Sequence, residues 1–137
     1  MTSLTERLAE LRKHLDHLYE IRPKVEGPAS LKRDLSLHND VLFSLLTVTQ
    51  LLIVIAGELS ARRGLAFSDY TAAVRNLATR SDFPPALVDA LAELPGFRNV
   101  LLHEYVELDY QLAVDALNDL GPLEDFLRIV ARIEVEG

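Results

Sequence analysis

The amino-acid sequence predicts an all-α fold, an up-and-down bundle of four to five helices with no sheet. Three observations carry this. Apolar residues return every three to four positions along nearly the whole chain, the period of one helix face, and no stretch alternates with the period of two that a half-buried strand shows. The good helix formers Leu, Ala, Glu and Arg dominate together with Val, while 137 residues include only 6 Gly. The Pro and Gly residues cluster between the periodic segments, where they punctuate helices. The length suits one domain, residues 1–137, burying about two thirds of the surface its unfolded chain exposes. No internal repeat or low-complexity segment is visible.

Taken in order, Ser3 and Glu6 form a capping box, and Leu4, Leu8, Leu11, Leu15 and Leu18 follow at four-three spacing, so a first helix is expected from about Leu4 to Ile21. Arg22-Pro23 and Gly27-Pro28 close it. His14 and His17, with Asp16 between them, have the spacing of metal ligands on one helix face, but no third ligand is evident and a solvated face is expected. A second, long helix is expected from Ser30 to about Arg63, with Leu31, Leu35, Leu42, Leu45, Leu46, Leu52, Ile53, Ala56 and Leu59 inward. Its uncharged run from Val41 to Gly57 is at the short edge of a bilayer span of ~17–25 residues. Ser44, Thr47, Thr49 and Gln50 interrupt that run, and no cation flanks it. A central bundle helix is therefore expected, not a membrane span, with Phe43, Leu51 and Val54 left over for a dimer contact.

Gly64 stops the long helix, and Ser68 is the expected cap of a third in which Tyr70, Val74 and Leu77 face inward. Pro84-Pro85 open a fourth at about Ala86, with Leu87, Val88, Leu91 and Leu94 as its stripe. Pro95-Gly96 predicts a kink or a fresh helical start. Asp109 caps a last helix through Leu112, Ala116, Leu117 and Leu120, and Gly121-Pro122 bends or restarts it before Leu127 and Val130.

The chain has no cysteine, which removes disulfides and thiolate metal sites and suits a reducing cytosol. Met1 to Glu6 lacks the basic-then-apolar pattern of a signal peptide, and a cytoplasmic location is expected. The formal charge of -7 argues against a general nucleic-acid coat. Its distribution is uneven: Met1 to Arg33 holds seven Lys and Arg against five Asp and Glu, while Glu104 to Gly137 holds two against nine. That asymmetry permits either a local basic cleft or head-to-tail contact with a partner.

Reactive side chains crowd only into the stretch Phe97-Arg98-Asn99-Val100-Leu101-Leu102-His103-Glu104-Tyr105. Arg98 offers a phosphate-binding fork, and His103 an imidazole, whose ordinary pKa lies near 6.5. Tyr105 offers a modifiable phenol. The same residue types also suit an ordinary amphipathic helix end with a capping histidine. At about 100° per residue, Arg98 and Tyr105 share a helix face to within ~20°, Asn99 and His103 share another, and Arg98 and His103 diverge by ~140°. Either the helix ends near His103 and the chain swings the ring round, or a second copy of the motif completes the site.

In this motif the chain resembles the HEPN superfamily, specifically its HepT-like toxin branch, which carries an Arg, four to six residues, then His-x-Tyr, often with Asn directly after the Arg. The layout agrees across nearly the whole chain: a first helix ending near Arg22-Pro23, a long second helix with Gln50 in its middle, Tyr70 opening the third helix and Asp109 opening the last. The resemblance implies a HEPN-like bundle that dimerises with its two motifs facing one another and cleaves RNA as a metal-independent endoribonuclease toxin. It makes Arg98 and His103 the catalytic pair, with Asn99 in support. It also implies a partner antitoxin, a minimal nucleotidyltransferase (MNT) that transfers AMP to the motif tyrosine, here Tyr105. No cofactor and no metal follow from it. The residues suit this chemistry: attack by a ribose hydroxyl needs a base, an acid and a cation for the phosphorane charge. One histidine does not easily serve as base and acid in one step, and two-fold symmetry would supply a second. A different class of function, a non-catalytic HEPN module that docks a nucleotidyltransferase and presents its substrate, remains open, as does a purely structural helical dimer.

Overall fold

Helix α1 spans Leu4–Ile21 and starts where Ser3 Oγ accepts the backbone N–H of Glu6 at 3.1 Å. The computed structural model describes residues 3–103 and 108–136; Tyr105, the expected AMP acceptor, lies outside the described residues. Leu4, Leu8, Leu11, Leu15, Leu18 and Ile21 are all buried, so the four-three spacing marks the inward face of α1 as expected. A single 3₁₀ turn, Arg22–Lys24, follows.

The long second helix is divided. Helix α2 covers Pro28–Arg33 and α3 covers Leu35–Arg62, separated by Asp34 in an extended conformation. The Asp34 carboxylate accepts the N–H of Leu37 at 3.1 Å and so caps the first turn of α3. The break resets the helical register, which corrects the expected inward face. Leu35 is 71% exposed, and Leu42 and Leu46 are half-buried, while Leu37, Val41, Val48 and Ile55 join Leu45, Leu52, Ala56 and Leu59 in the core. Thr49 and Ser60 are buried too, their hydroxyls donating to the carbonyls of Leu45 and Ala56 at 2.8 and 2.9 Å, the back-bonding that lets a helix interior carry them. Gly64, at φ +69, ends α3: its N–H donates to Ala61 O and that of Leu65 to Ser60 O.

Helix α4 is short, Tyr70–Arg75, and continues as a 3₁₀ turn over Asn76–Thr79. Its cap is Asp69, not Ser68: the Asp69 carboxylate accepts the N–H of Ala72 at 2.7 Å. Helix α5 covers Pro85–Leu91 and α6 covers Leu94–His103. Pro95-Gly96 therefore marks a fresh start, and Leu94 belongs to the motif helix and not to the stripe before it. Helices α7, Tyr110–Leu117, and α8, Gly121–Glu136, complete the chain, the first capped by Asp109, whose carboxylate accepts the N–H of Gln111 at 2.9 Å. Among the described residues there is no strand, in line with the all-α expectation.

Helix α3 runs through the middle of the bundle. It packs on α1, α2, α4, α6 and α7, and α8 closes the far side against α1 and α5. Leu11, Leu15, Leu18, Leu52, Ile55, Leu117 and Phe126 are fully buried in the resulting core. Each such Leu contributes roughly 1.5–3 kcal/mol, a large share of the ~5–15 kcal/mol that ordinarily holds a domain folded. By length and composition α3 is apolar enough to cross a membrane, yet half of its most apolar window is buried inside the protein, as befits a bundle core. A bidentate ion pair ties α1 to α8, with Arg12 donating from both terminal nitrogens to Glu124 and also to Asp16. Helices α3, α4 and α6 pack directly on one another, the relation on which the site depends.

Candidate active site

Helix α6 presents three different faces. Leu94, Phe97 and Leu101 pack against the core. Arg98 and Leu102, one turn apart, border a groove on α3, and Asn99 and His103 stand exposed. This is the helical arrangement expected for the motif: Asn99 and His103 share one face, and Arg98 points elsewhere. His103 is the last described residue of α6 and does not line the groove. Within one chain the structure therefore does not bring Arg98 and His103 to one point.

Arg98 is held from two sides. Its Nε–H donates to Gln50 Oε1 of α3 at 2.6 Å, and its guanidinium lies over the ring of Tyr70, the first residue of α4, 5.5 Å from the ring centroid. Nη1 reaches Asn99 Oδ1 at 3.5 Å, the outer limit of a hydrogen bond. The groove, ≈ 420 Å³, is walled by Leu46, Thr47, Gln50, Leu51, Arg98 and Leu102. It combines an apolar lining with one cation. Among the described residues, Arg98 is the one charged residue that lines it.

Gln50 and Tyr70 have roles beyond those the sequence indicates. Tyr70 is expected to face inward; it is 47% exposed, with its ring against Arg98. Gln50 interrupts the apolar run of α3, and that is the signal it offers. A buried amide without a partner costs ~1–3 kcal/mol, so a glutamine among leucines implies a polar neighbour, although not which one.

Two other features lie apart from the groove. The His17 Nε2 is 3.8 Å from Asp40 Oδ2, and the His14 ring packs edge-on to Phe43 with centroids 6.2 Å apart, where burial lowers the His14 pKa despite the opposing pull of Glu10. Among the described residues no group of three His, Asp or Glu is placed to hold a metal. Behind α6 a smaller cavity, ≈ 190 Å³, is rimmed by Glu93, Asp115 and Asp119, the wrong sign for a phosphate. Of these two cavities, the groove at Arg98 is the better candidate for an anionic substrate.

The chain is similar in sequence and in fold to known proteins. A family model described as Ribonuclease HepT-like matches residues 4–130. Among solved structures, the tri-AMPylated HEPN toxin of Shewanella oneidensis in complex with an MNT antitoxin superposes with a TM-score of 0.81 at 20% identity, over 96% of this chain and 99% of that one. A toxin–antitoxin complex with AMP-PNP gives 0.79 at 20% identity, over 95% and 99%. A mutant MntA–HpeT toxin–antitoxin gives 0.78 at 19% identity, over 94% and 97%. At such identities the likeness is one of fold. No curated protein matches the chain significantly.

Proposed function

The chain belongs to the HepT-like ribonuclease family, and from that premise we propose that it is a metal-independent endoribonuclease toxin of a toxin–antitoxin pair, with Arg98 and His103 as its catalytic residues. The observation that carries this is the fixed Arg98 fork in an open groove, one and a half turns before an exposed histidine on the same helix. In the proposed reaction a base takes the proton of a ribose 2′-hydroxyl, the freed oxygen attacks the adjacent phosphorus, and the 5′-oxygen leaves with a proton from an acid. His103 does proton transfer, Arg98 stabilises the charge on the phosphorane, and Asn99 orients the imidazole one turn on. No step needs a metal, because the residues supply base, acid and cation.

The reaction further calls for a homodimer. Arg98 and His103 diverge by ~140° on one helix, so a second copy facing the first brings the histidine that the groove lacks. The half-buried Leu46, Leu51 and Leu102 give the surface around Arg98 the apolar content such a contact uses. On this reading it acts on RNA in the cytoplasm, through the single domain that the family model matches over residues 4–130. The MNT antitoxins named in the similar structures suggest its control. A cognate nucleotidyltransferase uses ATP so that the Tyr105 phenol attacks the α-phosphate, pyrophosphate leaves, and Tyr105 carries AMP. The added phosphodiester charge pairs with the Arg98 fork and the adenosine obstructs RNA.

Expression without the antitoxin tests the catalytic role against the docking role. Growth arrest is expected from the wild type and is relieved by His103→Ala at unchanged protein level. Arrest that persists equally in His103→Ala and Arg98→Ala contradicts catalysis by this motif.

A further inference from the structure

We infer that Gln50 and Tyr70 are positioning residues that fix the orientation of the Arg98 guanidinium and leave only its end-on edge for the scissile phosphate. This rests on the ribonuclease proposal above and adds two residues that lie outside the motif. An arginine grips an oxyanion either side-on, through Nε and one terminal nitrogen, or end-on, through both terminal nitrogens. The hydrogen bond from Nε to Gln50 Oε1, at 2.6 Å, occupies the side-on edge. The Tyr70 ring, 5.5 Å from the guanidinium carbon, covers one face of the plane and resists its rotation. Asn99 touches Nη1 only at 3.5 Å, so the terminal nitrogens keep donors for a ligand.

The supports come from separate elements. Gln50 projects from the rigid middle of α3, and Asp69 caps α4 where Tyr70 begins it. Asn76 fixes the connection between them, its Nδ2 donating to Ser60 Oγ and to Ala66 O, both at 3.2 Å. A long side chain has many rotamers, and a catalytic cation that must first be ordered loses part of its effect; one ordered in advance does not. Gln50 and Tyr70 supply that order.

The test is a double-mutant cycle on RNA cleavage, joined to a spectroscopic readout on Arg98. Gln50→Met keeps the side-chain length and removes the acceptor. It is expected to lower kcat about 10-fold or more while KM moves less, because charge on the phosphorane grows in the transition state. In the Arg98→Ala background the same substitution is expected to change the rate less than about 2-fold, since there is no guanidinium left to position. Tyr70→Leu should lower kcat about 5-fold, and Tyr70→Phe, which keeps the ring, should restore it. In ¹⁵N spectra the Arg98 Nε–H signal, assigned by its loss in Arg98→Lys, should shift and exchange faster with solvent in Gln50→Met. Rate losses that multiply in the Arg98→Ala background, or an Nε–H signal unmoved by Gln50→Met, overturn the inference. If the wild type cleaves no RNA, the ribonuclease proposal fails by itself, and the Nε–H signal still decides whether Gln50 holds Arg98.

Discussion

Replacing Arg98 with lysine separates the charge of the side chain from its shape. Arg98→Lys keeps one positive charge at the groove but forfeits the Nε–H donated to Gln50 at 2.6 Å and the planar fork stacked on Tyr70. A hydrogen bond involving a charged group contributes ~1.5–3 kcal/mol. Losing one such bond from the transition state, together with the fork, is expected to cost about 2 kcal/mol, or ~30-fold in rate at tenfold per 1.4 kcal/mol. Arg98→Ala, which also removes the charge, is expected to lose on the order of 10²-fold or more. The assay is single-turnover cleavage of an end-labelled oligoribonucleotide in excess chelator, with helical circular dichroism to confirm the fold. The order wild type, lysine, alanine supports the fork. A lysine variant within about 3-fold of wild type means that charge alone suffices, and the reasoning from the Gln50 and Tyr70 contacts is wrong.

Further outcomes follow from the proposed function and from the packing of the helices. Co-expression with the cognate nucleotidyltransferase should add adenylyl groups to the peptide containing Tyr105, visible by mass spectrometry, and Tyr105→Phe should escape this control; equal inhibition of Tyr105→Phe with no adduct on wild type indicates steric binding instead. The protein should be a dimer by light scattering at micromolar concentration, and a monomer there removes the two-copy site. Arg12 holds the Glu124 carboxyl below its ordinary pKa of 4.5, chiefly through the direct hydrogen bond and against the effect of burial. Because the folded value is the lower one, this stability is fully present above the ordinary carboxylate range and is lost as pH falls through the folded value. Glu124→Gln should cost about 1 kcal/mol at neutral pH, ~4 °C in melting temperature, and flatten the acid limb of the stability curve, whereas an unchanged limb contradicts the assignment.

Local rules account for what the sequence reveals of this fold. The α1 stripe, the Ser3 cap, the Gly64 stop and the Asp109 cap each depend on residues within a turn or two, and each is found where expected. The break at Asp34 is not legible, because leucines continue on both sides and an aspartate is equally at home inside an exposed turn; only the extended backbone and the bond to Leu37 show it as a cap. Leu35 then turns outward with the new register. Tyr70 is misjudged for want of length, since α4 has six residues and a period of 3.6 is poorly defined over so few. The division of the motif helix into a groove face and an exposed face is legible from spacing. The contact from Arg98 to Gln50 crosses 48 residues, and no spacing rule reaches that far. It emerges only once α3 and α6 are packed.

Incubation of the purified protein with total RNA in excess chelator, beside its Arg98→Ala and His103→Ala variants, addresses the ribonuclease proposal most directly. Discrete cleavage by the wild type, lost on the order of 10²-fold or more in each variant at unchanged melting temperature, is the result expected. Intact RNA with every protein, or equal cleavage by all three, contradicts it.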